Sequence, residues 1–130
     1  MLVLQQFLST LCDEFKLPLP PASDTEKEMT VQWSSTQLHF KKLSAGLAMR
    51  AHITTCPVDQ REELFLHLMQ ANFLAQATGG ATIGLDAEEK FLTLSLGVPY
   101  ELSYRTFKER LELFLNYLDY WRKEIEKLKA

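Results

Sequence analysis

The stretch LFLHLMQANFLAQA-TGG-ATIGLD-AEEK-FLTLSL, residues 64–96, changes its apolar period twice. From Leu64 to Ala77 apolar residues recur at helical spacing, Thr78-Gly79-Gly80 interrupts them, and the two segments that follow alternate as strands do. Placed on a wheel at about 100° per residue, Leu64, Leu68, Ala71 and Ala75 form one arc. Leu66, Met69, Phe73 and Ala77 form another, roughly opposite, and His67, Gln70, Asn72 and Gln76 separate the two. A helix at a protein surface needs one apolar stripe. The second arc requires a second burial partner, and for a chain this small a symmetric dimer is the commonest source of one.

Outward from this stretch the rest of the chain reads as one α+β domain over residues 1–130. Leu4, Leu8, Leu11 and Phe15 predict a first helix, which the prolines at 18, 20 and 21 end by removing donors and disfavouring helical backbone. After a polar connector, Met29, Val31 and Trp33, then Leu38 and Phe40, then Leu47, Met49, Ala51 and Ile53 alternate with polar or small residues. Short turns separate them, so they predict a three-strand antiparallel meander. Asp59 with Glu62 resembles an N-cap with its capping partner for the helix that runs to about Ala77. Gly79 or Gly80 caps its end, and Gly97-Val98-Pro99 is expected to stop the last strand. Phe107, Leu111, Phe114, Leu118, Trp121, Ile125 and Leu128 trace one stripe of a final helix roughly 37 Å long, with Thr106 and Glu109 as a candidate capping box. The predicted order is helix, three strands, helix, two strands, long helix.

Composition excludes several classes of function. A formal net charge of −3, with acids spread along the chain, is not the clustered basic face that nucleic acid or an anionic membrane requires. No apolar run approaches the roughly 18–20 residues that span a bilayer, and MLVLQQFLSTLCDEF has no basic start of a signal peptide. The expectation is a soluble cytoplasmic protein without membrane insertion. The two cysteines, Cys12 and Cys56, have neither metal nor redox spacing and are expected to stay reduced.

No catalytic or cofactor constellation is apparent. Thr78-Gly79-Gly80-Ala81-Thr82 follows a helix C-terminus, whereas phosphate loops lead into an N-terminus, where unpaired N–H groups point at the anion. His39 and His52 would face each other in one odd-sum hairpin register, but two imidazoles without a third ligand make a weak metal site. Serine, cysteine and aspartate are present without a nucleophile elbow or a Cys–His pairing. An enzyme or a small-ligand protein would instead need a deep polar pocket with converging titratable groups. The expectation is no enzyme, no cofactor and no metal.

LMQANFLAQATGGATIGLDAEEKFLTLSL together with YRTFKERLELFLNYLDYWRKEI resembles the class I type III secretion chaperones, also called the Tir/effector chaperone family. Leu68, Asn72, Phe73, Gly79, Gly80, Gly84, Leu85 and Asp86 carry the resemblance, while the N-terminal third agrees only in layout. The resemblance implies a homodimer built on the second helix and the strand after it, here Leu66, Met69, Phe73, Ala77, Ile83 and Leu85. It also implies that the chain binds the N-terminal chaperone-binding segment of a secreted effector in extended form, by strand addition and burial of alternating side chains. Met29, Val31 and Trp33 would form the edge strand, with Leu8, Phe40 and Met49 as pocket walls. Strand parity gives a face without saying whether that face is core or pocket.

The function so implied is that of a bacterial cytoplasmic, virulence-associated chaperone that keeps one or more effectors soluble and secretion-competent. The secretion ATPase is a further candidate partner. A regulatory adaptor of the same fold, binding a transcription regulator or a secretion-gate protein, is the alternative, and a heterodimer with a related chaperone is the alternative to self-association.

Overall fold

Residues 2–17, 28–33, 35–43, 46–59, 61–73, 78–99 and 103–129 are described by the structure, a computed structural model. In chain order the elements are α1 (Leu2–Phe15), β1 (Glu28–Trp33), β2 (Thr36–Lys42), β3 (Gly46–Thr55), α2 (Arg61–Asn72), β4 (Thr82–Leu85), β5 (Phe91–Pro99) and α3 (Tyr104–Lys129). The described strands form one five-stranded sheet in the order β1-β2-β3-β5-β4, which leaves β1 and β4 at its edges. The expected α+β order of helix, meander, helix, two strands and long helix is the one observed.

The chain divides into two compact units. The first comprises residues 1–51 and 97–111. Its β1–β2 and β2–β3 pairs are antiparallel, and the register places Met29 opposite Phe40 and Phe40 opposite Met49. These three side chains therefore share a face, since cross-strand partners point the same way. The Phe107 ring stacks on Phe7 at 4.8 Å and meets Phe40 at 6.1 Å, joining α1, β2 and the first turn of α3 through one aromatic cluster. Leu8, Leu11, Val31, Leu38, Leu47 and Leu111 complete a buried core. Backbones approach closely where Gly46 meets β5: a Cβ on Gly46 would stand 2.2 Å from the Val98 carbonyl oxygen.

The second unit comprises residues 52–96 and 112–130. Phe114, Leu118, Trp121 and Ile125, one α3 stripe, are buried there along with Ile53, Leu64, Leu68, Leu92 and Leu94. Arg122 donates from Nε to the Ile53 carbonyl (3.2 Å) and from Nη2 to the His52 carbonyl (2.7 Å), so its guanidinium satisfies carbonyls of β3. Both Gly79 (φ 65°) and Gly80 (φ 91°) lie in the left-handed region, where a side chain is strained, and this is why the break after α2 carries two glycines.

Several local expectations change. The cap of α3 is Ser103, whose hydroxyl accepts from the Thr106 N–H (3.2 Å) and whose carbonyl accepts from the Phe107 N–H (2.9 Å). Glu109 instead reaches Arg105 one turn back, at 3.4 Å. β5 does not stop at Gly97 but runs to Pro99 with Val98 buried, since a proline in the last position of a strand forfeits only one donor. His39 pairs with Arg50 in the β2–β3 register, so His39 and His52 are not opposite each other. His52 instead stacks on Phe91 at 4.3 Å. The helix expected to run to Ala77 is described to Asn72, followed by Phe73 in a 3-10 turn. Ala75, Gln76 and Ala77 lie outside the described residues, as do the side chains of Leu4 and Leu128.

Candidate protein-interaction surface

Two arcs were expected on α2, and the structure treats them differently. Leu64, Leu68 and Ala71 are buried at 7%, 5% and 8% exposure. Leu66, Met69 and Phe73 are exposed at 59%, 68% and 73%. Exposing three large apolar side chains in one row is costly in water, at roughly 25 cal/mol per Å² of apolar surface, and such contiguous rows on soluble proteins mark interaction sites.

The row borders an apolar groove of about 230 Å³ lined by Phe65, Leu68, Met69, Asn72, Leu92 and the β4 residues from Ile83 to Leu85. Arg61 lies over the Phe65 ring, 5.6 Å from its centroid, at the start of the helix. The far end is held by Asn72. Its Nδ2 donates to the Ile83 carbonyl and its Oδ1 accepts from the Ile83 N–H, both at 2.8 Å. A side-chain amide thereby does for Ile83 what a neighbouring strand would do. Sequence reading placed Ile83 and Leu85 on the interface with the α2 residues. Ile83 is in fact buried at 5% exposure, as part of the groove floor, and Leu85 is half-buried. Ala77 lies outside the described residues.

The residues expected to line a cargo pocket are placed otherwise. Leu8, Phe40 and Met49, expected as pocket walls, are wholly buried, as are the side chains of Val31 and, nearly so, Met29 on the expected edge strand. Trp33 differs: it is half-buried at the end of β1 and packs on Phe15 of α1, with ring centroids 5.0 Å apart. Lys108 caps that pair, its Nζ lying 5.2 Å from the Phe15 centroid. The same ammonium bonds Glu14 Oε1, and the Tyr104 hydroxyl donates to Glu14 Oε2 at 2.6 Å. The Lys108 and Tyr104 bonds hold the Glu14 carboxyl below the usual carboxylate range. Burial, then the bond to Glu14, pushes the Tyr104 phenol up. The Phe15–Trp33 pair beside an edge strand was not singled out from sequence, because the two residues lie in different elements eighteen positions apart.

Among the described residues no three His, Cys, Asp or Glu side chains converge on a point. No helix among the described residues is long and apolar enough to cross a membrane. What the surfaces can do is bury apolar side chains and, at β1, present the edge of a sheet.

Comparisons with known proteins agree with this geometry. The family model described as the Tir chaperone protein (CesT) family matches residues 6–122. Among curated protein sequences none matches. Among solved structures, a chain of the ExsC–ExsE complex is similar with a TM-score of 0.76 at 15% identity, over 92% of this chain and 91% of that one. A chain of the HopA1–SchA chaperone–effector complex is similar with a TM-score of 0.70 at 16% identity, over 94% of each. A chain of the heterodimeric ExoU–SpcU complex from the type III secretion system of Pseudomonas aeruginosa gives 0.66 at 16% identity, over 92% of each. Identities this low speak for the fold, and the family match speaks for descent. Spanning the chain from α1 to α3, that match shows that the protein belongs to the Tir chaperone protein (CesT) family.

Proposed function

We propose that this chain is a type III secretion chaperone that binds the N-terminal segment of a secreted effector in extended form and keeps it soluble and ready for export. The reading rests on membership of a chaperone family and on a fold shared with chains of chaperone–effector complexes. It treats residues 1–130 as one functional module, which the family match across both compact units supports. The chain acts by binding alone, in the bacterial cytoplasm, with no cofactor. The alternative of a regulatory adaptor has no observation in its favour.

The observation that carries the mode of action is the exposed row Leu66, Met69 and Phe73 beside the α2–β4 groove. We infer that a second copy covers it. An isologous helix face buries the row twice, once from each copy, and satisfies the second arc of α2. Cargo then has the β1 edge, where an added strand finds backbone donors and acceptors, with the Trp33–Phe15 rings as the adjoining apolar contact.

The test is co-expression with a secreted protein from the same bacterium, intact and lacking its N-terminal segment. A soluble complex of two chains to one effector is expected with the intact partner alone, and amides of β1 should exchange more slowly in it. A chain that is strictly monomeric at micromolar concentration, and that binds full-length and truncated partner equally, would overturn the proposal.

A further inference from the structure

β4 is an edge strand, and edge strands invite unwanted pairing unless something blunts them. It lies beside the exposed α2 row, so it is where uncontrolled sheet growth would begin once two copies meet. The β4–β5 register sets Ile83 opposite Leu94, flanked by the Thr82–Ser95 and Gly84–Thr93 pairs. In an antiparallel ladder successive residues turn their N–H and C=O alternately toward and away from the partner strand. The Thr93 hydroxyl reaches the Gly84 carbonyl at 3.4 Å, so Gly84 faces β5. Ile83 therefore faces outward, and its N–H and C=O are the pair that the Asn72 carboxamide takes, each at 2.8 Å.

We propose that Asn72 is an edge cap that closes β4 to strand addition. Any partner docking on the α2–β4 face must then do so by packing side chains, without continuing the sheet through Ile83. The geometry is specific to an amide. It offers one donor and one acceptor at a spacing that matches a peptide unit, whereas aspartate lacks the donor and leucine has neither. The cap also ties the C-terminal end of α2 to β4, holding the Met69 and Phe73 side of the helix fixed over the groove that Ile83 and Leu92 floor. The occupant is a second copy of this chain, and in that respect the inference rests on the proposed dimer. The capping of Ile83 does not.

Amide hydrogen exchange resolved by residue tests this on the whole protein, as wild type, Phe73→Asp, Asn72→Leu and Asn72→Asp. The Ile83 amide is expected to be protected equally in wild type and in Phe73→Asp, because the protecting group is intramolecular. In Asn72→Leu, which removes the acceptor, it should exchange on the order of 5–10-fold faster, the size of one lost hydrogen bond. Asn72→Asp, which keeps an acceptor oxygen and loses only the donor to the Ile83 carbonyl, should change it less, and the Gly84 amide is unchanged in both. Asn72→Leu should also form species larger than a dimer as concentration rises. If protection at Ile83 is present in wild type and disappears in Phe73→Asp, a partner strand supplies it and the edge cap is wrong. A wild type that is monomeric yet protected at Ile83 sinks the dimer and leaves the cap standing. Should the leucine variant fold poorly, the comparison of wild type with Phe73→Asp decides on its own.

Discussion

The ring of Tyr117 fills the space into which a side chain on Gly79 would project: a Cβ there would lie 2.4 Å from Cε2 of the ring. Gly79 also has φ 65°, so the position excludes a side chain both sterically and by backbone strain. Gly79→Ala is expected to cost about 1–3 kcal/mol. Adding Tyr117→Ala should remove the clash and leave the backbone part of the cost, about 1 kcal/mol. Gly46→Ala should be worse than Gly79→Ala, because its Cβ meets the Val98 carbonyl, a backbone atom that cannot rotate aside. Denaturant midpoints of the four proteins give the ranking, and a Gly46 variant as stable as wild type would refute it.

Phe73 and Ile83 read alike in the sequence as interface residues, yet one is exposed and the other buried. Phe73→Asp should shift sedimentation toward the monomer while leaving the unfolding free energy of that monomer within about 0.5 kcal/mol of wild type. Ile83→Asp should lose several kcal/mol, since it buries an unpaired carboxylate within its own unit. Equal effects of the two substitutions on stability would mean the α2 row is not the exposed face.

Glu14 supplies a pH dependence. Its carboxyl is held low, so it stays charged in the folded chain at pH values where the unfolded chain already binds a proton. The stability it contributes is therefore complete above the ordinary value of 4.5 and fades as pH falls below it toward the lowered folded value. Unfolding of wild type and Glu14→Gln, compared between about pH 6 and pH 3, should show a gap that narrows on acidification. A gap that widens would contradict the bonds from Lys108 and Tyr104. Lys108→Met should narrow it at every pH.

Core and surface in the first unit separate by the same logic. Phe40→Ala should cost about 3–5 kcal/mol and impair every property of the chain together. Trp33→Ala, which loses a half-buried ring packed on Phe15, should cost clearly less stability than Phe40→Ala and weaken effector binding by roughly tenfold or more, as loss of an aromatic anchor does. Calorimetric titration with the effector segment measures the second effect. Unchanged affinity in Trp33→Ala would place cargo elsewhere.

Much of the architecture was legible because it rests on local period. The single stripe of α3 from Phe107 to Ile125, the alternation of β2 and β3, and the break at Gly79-Gly80 each appear in the sequence with the spacing that the structure uses. The two arcs of α2 were visible for the same reason, and the exposure of the second followed from counting how many faces one helix can bury in its own domain. The α3 cap was misread because Thr106-Phe-Lys-Glu and Ser103-Tyr-Arg-Thr both look like helix starts, and in the fold it is the Ser103 hydroxyl that takes the Thr106 N–H.

What sequence by itself determined is which residues share a face, since the periods of 3.6 and 2 are properties of a helix and a strand alone. Tertiary structure alone decided what covers each face. Leu8, Phe40 and Met49 have the pattern of a pocket wall and of a core equally well, and only long-range packing decides that they are buried. The Asn72–Ile83 pair joins a helix end to a strand eleven residues on, and the β2–β3 register parts His39 from His52. Both depend on how elements dock, which no local period encodes.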